Sequence, residues 1–368
     1  MNIERAKQVC LDELLTLHVR EDNWRTELYH KDVEDHYNDL REALENPTHK
    51  DLKILIFHPI SIGDNIISSL APELFQIKYP GCQVDYFTES PESVPILESN
   101  PFINKVIIDK NWCKFRTRDT RGEIPNGKPT EDGELLKTYD MGYSVYWWNS
   151  PEIESFLEDF DLPTDYTRLR IYPTEASMQK AKIALKDTNK LRICVQIEQS
   201  KWNKSFENYY KLLNELEEFG YMIPIGKTPG FTYADDAAII SQADLMICSS
   251  GSIEHVAAAV GCQTVTLSPV YDPRENCAAY YQNNYLPENR KHVIIRPSDW
   301  CGNYRCVIKS PNDIIQKEPR YGFNSEGKFP HIHTKPCDYK DFKKTCIHEI
   351  TVDEIISKVK EVIKKRNE

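Results

Sequence analysis

Two hydrophobic periods alternate along this chain. Short, nearly continuous apolar runs mark strands buried on both faces, and they recur at residues 53–57, 84–88, 106–108, 143–148, 191–199, 221–225, 244–248 and 264–267, with a late one in HVIIRP. Between them lie segments with apolar residues at three- and four-residue spacing: 65–78, 93–98, 206–219 and 233–241 predict helices, as does 352–365 at the C-terminal end. The order strand–helix–strand–helix–strand appears twice, so two parallel sheets with right-handed crossovers are expected. Residues 1 to about 50 read as helical, with Leu11, Leu14, Leu15 and Leu17 on a partly apolar face and Pro47 as a stop. His30, Asp32, Glu34 and His36 read there as a solvated helix face. Residues 112–139 are polar and predict a long loop, and 151–173 a connector.

The expected fold is α/β: two Rossmann-like doubly wound domains with a cleft between them. An N-terminal helical extension covers 1–50, the first domain 51–185, and the second 186–350 with a cysteine-rich insert at 300–346. Residues 351–368 form a C-terminal helix expected to cross back over the first domain. A chain of 368 residues, 40% hydrophobic, is large enough for two cores. Its net charge of −11 argues against broad binding to a nucleic-acid backbone, which needs a basic surface. No apolar run approaches the ~20 residues that span a bilayer, and MNIERAKQVCLDEL lacks the apolar segment of a signal peptide. The expectation is a cytoplasmic protein whose eleven cysteines are reduced thiols or metal ligands.

Five stretches carry candidate chemistry. SSGSIEHVAAAVG, 249–261, takes a strand into a small-residue helix, so free backbone N–H groups and the helix dipole offer an anion site at Ser249, Ser250, Gly251 and Ser252, with Glu254 and His255 in the first turn. The alternative there is a capping turn with a packed histidine. In HPISIGDN, Asp64 stands at a predicted helix start after a strand, where a carboxylate stays ionised and is suited to general-base work, or acts only as an N-cap. Lys201 and Lys204 lie between a strand and a helix, where they can neutralise a diphosphate or simply be solvated. Arg274, in SPVYDPRENC after a strand end, is a candidate anion contact or a surface arginine. Cys301, Cys306, Cys337 and Cys346 suit a tetrahedral zinc or iron site ordering a Pro/Gly-rich region; the alternative is unrelated thiols.

Together these motifs resemble glycosyltransferase family 9, the ADP-heptose:LPS heptosyltransferases, from about residue 52 to the C-terminus. KILIFHPISIGDNIISSLAPELFQIKYPGCQVDYFT is similar to the family's opening strand, glycine–aspartate turn and helix. ADLMICSSGSIEHVAAAVGCQTVTLSPVYDPRE is similar to its donor-binding strand, turn and helix, and CDYKDFKKTCIHEITVDEIISKV to its cysteine-bearing tail. The resemblance implies the GT-B architecture, Asp64 as catalytic base, Lys204 as phosphate-binding lysine and His255 as the histidine of the donor turn. Related autotransporter heptosyltransferases carry a four-cysteine iron site. Two departures stand out: Ser249 or Ser250 replaces an aspartate at the start of the donor turn, and GKTPG lacks a carboxylate that contacts the donor ribose.

The implied activity is transfer of a sugar from a nucleotide-diphosphate sugar to a hydroxyl of a glycan, LPS or other lipid-linked acceptor, or protein. A homo-oligomer is an expected form. Competing readings are a glycosyltransferase acting on a nucleic-acid base, which the acidic balance opposes; a sugar-nucleotide epimerase or hydrolase; and a catalytically inactive GT-B scaffold.

Overall fold

A computed structural model of the chain describes residues 3–19, 27–57, 62–108, 122–123, 138–144, 152–185, 188–196, 206, 208–226, 229–269, 273, 277–286, 288–297 and 346–367. The chain divides into two compact units. Unit 1 comprises Met1–Trp147, Glu152–Thr174 and Thr232–Ala234; unit 2 comprises Trp148–Pro151, Glu175–Phe231 and Asp235–Glu368.

In unit 1, β1 (Lys53–Phe57), β2 (Gln83–Thr88), β3 (Lys105–Ile108), β4 (Gly122–Glu123) and β5 (Met141–Ser144) form a sheet in the order β3-β2-β1-β5-β4. The pairings β1–β2, β2–β3 and β1–β5 are parallel, with Ile54 opposite Val84 and Met141; only β4 runs antiparallel, against β5. Ile54, Leu55 and Ile56 are fully buried, as the unbroken apolar run demands of a central parallel strand. The chain leaves β1 for α3 (Ile62–Ser68) and α4 (Ala71–Lys78). One helix was expected over 65–78. Two form, because Pro72 at the start of α4 has no N–H to continue a helix and suits a first turn instead. α5 (Val94–Ser99) joins β2 to β3, and the expected connector at 151–173 contains α6 (Glu152–Asp159). Glu123, within the expected 112–139 loop, pairs with Tyr143 of β5.

The N-terminal helices α1 (Ile3–Val19) and α2 (Glu27–Glu45) belong to unit 1. α2 buries Val33, Tyr37, Leu40 and Leu44. His36 corrects the expectation of a solvated face. It is 7% exposed, its Nε2 lies 2.6 Å from Glu73 Oε1 on α4, and its ring stacks on Tyr166 at 3.6 Å. The other oxygen of Glu73 accepts from the Tyr172 hydroxyl at 2.6 Å. Glu13 on α1 pairs with Arg168, at 3.2 Å, and with Arg170.

In unit 2, α7 (Glu175–Ala184) leads into β6 (Leu191–Gln196), α8 (Tyr209–Leu216), β7 (Gly220–Pro224), α9 (Tyr233–Ile240), β8 (Leu245–Ser249), α10 (Ser252–Ala259), β9 (Thr264–Leu267), α11 (Ala278–Gln282) and β10 (Val293–Ile295). The strands lie in the order β10-β9-β8-β6-β7, all parallel. Every residue of β8 and β9 is buried. The faces that α9 and α10 bury, Ala237 and Ala238 on one and Ala257, Ala258 and Ala259 on the other, are made of small residues. α10 ends at Gly261, whose φ of +74° is open to glycine and strained for other residues. The apolar face of the final helix α12 (Val352–Asn367), Ile355, Ile356, Val359 and Val362, joins the unit 2 core with Val195, Ile247, Val265 and Leu267. Arg366 near its end binds the Asp244 carboxylate at 2.5 Å and carbonyl at 2.6 Å.

Candidate active site

Strand order locates the sites. In an open α/β sheet, ligands bind beyond the carboxyl ends of the strands where the order reverses. In unit 2 that point lies between β6 and β8, the first and third strands of the sheet in chain order. β8 runs there into Ser250, Gly251 and α10. Gly251 takes φ +150°, ψ −165°, a conformation nearly confined to glycine, and this swings the chain from strand into helix. His255 N–H then donates to Gly251 C=O at 3.1 Å, the first turn of α10. Amides earlier in that turn have no helical acceptor and sit at the positive end of the dipole. Gly251 and Ser252 are partly exposed, whereas Ser249 and Ser250 are fully buried. The Ser250 amide is used internally, donating to Leu267 C=O at 2.8 Å.

Glu254 and His255 face inward. Glu254 is fully buried, and its carboxylate accepts from the Ala279 amide at 2.6 Å, the Ala278 amide at 3.2 Å and the Cys277 thiol at 3.3 Å. His255 Nδ1 lies 2.7 Å from the same carboxylate. Burial opposes charge on Glu254, but His255 and the donors at 277–279 prevail and hold its carboxyl below the usual range. Glu254 therefore caps α11 from within and lies against the His255 ring. A carboxylate so committed acts on a ligand only through His255. Burial pushes the Cys248 and Cys277 thiols up, and the Glu254 charge adds to it, which leaves neither a ready nucleophile.

Two groups at neighbouring strand ends were missed in the sequence. Gln196 ends β6, and its buried Oε1 has no hydrogen-bond partner among the described residues. Asp236, on α9, is pushed up to about 6, first by burial and then by Asp235, while the Gly226 N–H draws it the other way. Asp235 is paired with Lys180 at 2.8 Å. Gln196 lay inside the apolar run read at 191–199, so its place at the strand end came only from the structure. Asp236 was one acid in a helical DDAAII and gave no signal.

In unit 1 the reversal lies between β1 and β5. Residues 58–61 lie outside the described set, and α3 starts at Ile62, which puts Asp64 in its first turn. Asp64 is 9% exposed. The Ser68 hydroxyl donates to the Asp64 carbonyl at 2.9 Å and meets the Tyr86 hydroxyl of β2 at 2.5 Å. Burial pushes the Tyr86 hydroxyl up, so it stays neutral. Neither Ser68 nor Tyr86 stood out in the sequence, because their pairing comes from the packing of α3 on β2.

Lys201, Lys204, Arg274, Cys301, Cys306 and Cys337 lie outside the described residues. Cys346 opens a short 3₁₀ turn, Cys346–Glu349, and its side chain is likewise not described. Among the described residues no group of three or more His, Cys, Asp or Glu converges as a metal site, and no helix is long and apolar enough to cross a membrane.

No family model matches the chain, and no curated protein matches it significantly in sequence. Solved structures do. A glycosyl transferase family 9 protein from Veillonella parvula is 15% identical with a TM-score of 0.57, over 87% of this chain and 99% of that one. The ADP-heptose LPS heptosyltransferase II of Escherichia coli is 13% identical with a TM-score of 0.55, over 86% of this chain and 100% of that one. The iron-containing dodecameric glycosyltransferase TibC of enterotoxigenic E. coli is 12% identical with a TM-score of 0.50, over 86% and 77%. At these identities the likeness is one of fold, an α/β chain with two largely parallel sheets.

Proposed function

We propose that this chain is a glycosyltransferase that moves a sugar from a nucleotide-diphosphate sugar to an acceptor hydroxyl. The observation that carries the reading is the turn from β8 through Gly251 into α10 at the reversal point of the unit 2 sheet, on a fold shared with solved glycosyltransferases. In this reading the donor diphosphate rests on the first amides of α10 and on Ser252 and His255. Ser249 and Ser250 shape the turn from below, and Lys201, Lys204 and Arg274 add positive charge. Glu254 positions His255. Asp64 is the base: the acceptor oxygen bonds to the anomeric carbon as its proton passes to Asp64. The bond from that carbon to the diphosphate oxygen breaks, and the electron pair leaves with the diphosphate.

ADP-heptose, named with the neighbours, is the first donor to test. The serines at 249 and 250 are where a different donor would be chosen. The acceptor belongs to the class of glycans, lipid-linked sugars or proteins. We extend the proposal to a structural zinc or iron held by Cys301, Cys306, Cys337 and Cys346, to a homo-oligomer and to a cytoplasmic setting; TibC, one neighbour, is iron-containing and dodecameric. Metal analysis of chelator-free protein tests the cysteines.

The function is tested with a panel of nucleotide sugars. A true donor at about 100 times its Kd adds roughly 2.7 kcal/mol of stability and raises the melting temperature. Asp64→Asn should keep that shift and lower transfer by about 10²–10⁴-fold, the worth of a general base. No shift with any nucleotide sugar sinks the donor site. A shift without turnover in the unaltered protein favours the inactive scaffold.

A further inference from the structure

Unit 1 holds a groove that the proposed reaction does not use. It has a volume of about 810 Å³ and is lined by α2 on one side and by α4 and residues 161–166 on the other. α2 presents Asp32, Asp35, His36 and Asp39, spaced so that all four share one helix face. The opposite wall is Leu74, Ile77, Leu162, Pro163 and Tyr166, with Lys78, Asp161 and Asp165 at its rim. The groove thus combines an apolar wall with five carboxylates. Its cations are already committed: Lys78 Nζ is 2.6 Å from Asp161, and His36 lies against Glu73. Asp32, Asp35 and Asp39 are exposed and have no ion-pair partner among the described residues.

We infer that this groove docks a polypeptide segment bearing lysine or arginine at alternate positions. Charge complementarity selects a cation. The apolar wall selects one with a long aliphatic stem, as Lys and Arg lay their methylenes on apolar surface while the charged head reaches an acid. Spacing selects a chain. Asp32 and Asp39 are separated by about 10.5 Å along α2, and alternate side chains of an extended peptide are about 6.6 Å apart, so two or three basic residues span the aspartate row. A metal ion is disfavoured, since no three of these carboxylates converge on a point. The inference does not depend on the glycosyltransferase reading.

The test is fluorescence anisotropy with the full chain and labelled 12-residue peptides carrying Lys/Arg, Glu, or Ser at every second position. The expected result is binding of the basic peptide alone, weakening about tenfold or more between about 50 and 300 mM NaCl as screening shortens. Combined Asp32→Asn, Asp35→Asn and Asp39→Asn should cut affinity at least tenfold with an unchanged melting temperature; were the triple variant to unfold, the three single variants replace it. Absence of basic-peptide binding, equal binding by the Glu peptide, or binding untouched by the substitutions overturns the inference. So does full competition by equimolar spermine, which would make this a small-polycation site.

Discussion

Unit 2 contains two buried groups whose titrations oppose each other, and this gives a signed prediction. His292 is 5% exposed, and its Nδ1 accepts the Thr264 N–H at 3.1 Å, so protonation there breaks the bond and buries a charge. Burial lowers the His292 value from 6.5 to about 4, with Glu254 drawing it back up. As pH falls the unfolded chain takes this proton first, so stability is lost from about pH 6.5 down to about pH 4. Asp236 does the reverse. Its value is raised from 3.8 to about 6, so the folded chain takes the proton first, and stability is gained as pH falls from about 6 to 3.8. Between pH 7 and pH 5 the two linkages amount to about 2 kcal/mol lost through His292 and about 1 kcal/mol gained through Asp236. The unaltered protein should therefore lose about 1 kcal/mol over that span, roughly half of what His292 alone would cost. Asp236→Asn, which keeps an acceptor for the Gly226 N–H, should expose the full His292 loss, seen as a urea midpoint lower by about 1 M at pH 5. His292→Asn, whose Oδ1 can accept from Thr264, should become more stable at pH 5 than at pH 7. Urea titrations of the three proteins at both pH values decide it. Parallel pH dependence in all three would refute the reasoning.

Three other outcomes are expected. Glu254→Ala leaves the α11 amides and His255 without their anion and should lose about 3–5 kcal/mol, read by calorimetry as a unit 2 transition lower by about 6–20 °C; a change under 2 °C would contradict the capping role. Gly251→Ala forces a side chain into φ +150° and should lose about 1–3 kcal/mol, with the donor-induced thermal shift reduced because the first turn of α10 is re-aimed. Glu73→Ala strands His36 and the Tyr172 hydroxyl and should lose about 3–5 kcal/mol from unit 1; hydrogen exchange should rise across α2 and α4, and unchanged protection there would argue against the network.

The strand ladder was legible because parallel strands buried on both faces are continuous apolar runs, and β1, β8 and β9 need no context to be recognised. The helix start at Asp64 and the glycine turn at 251 were equally local, since each follows from a strand end beside a small or acidic residue. The α3–α4 break was also written in the chain at Pro72 but was overridden by the apolar period on either side of it. α6 has no clear mark in the chain, because its eight residues are too short for a helical period to stand out from the connector around them.

What the sequence could not carry was partnership. His36 and Glu73 are 37 positions apart, Glu254 meets amides more than 20 positions away, and Ser68 meets Tyr86 only when α3 lies on β2. Residue period and backbone preference within a few neighbours set the two α/β series, the strand and helix types, and the places where the chain turns from strand into helix. Contacts between distant segments set which polar residues became internal supports. They turned Glu254 into a cap, brought His36 out of solvent and gave α12 to the unit 2 core, because burial and hydrogen-bond satisfaction are fixed only when those segments meet.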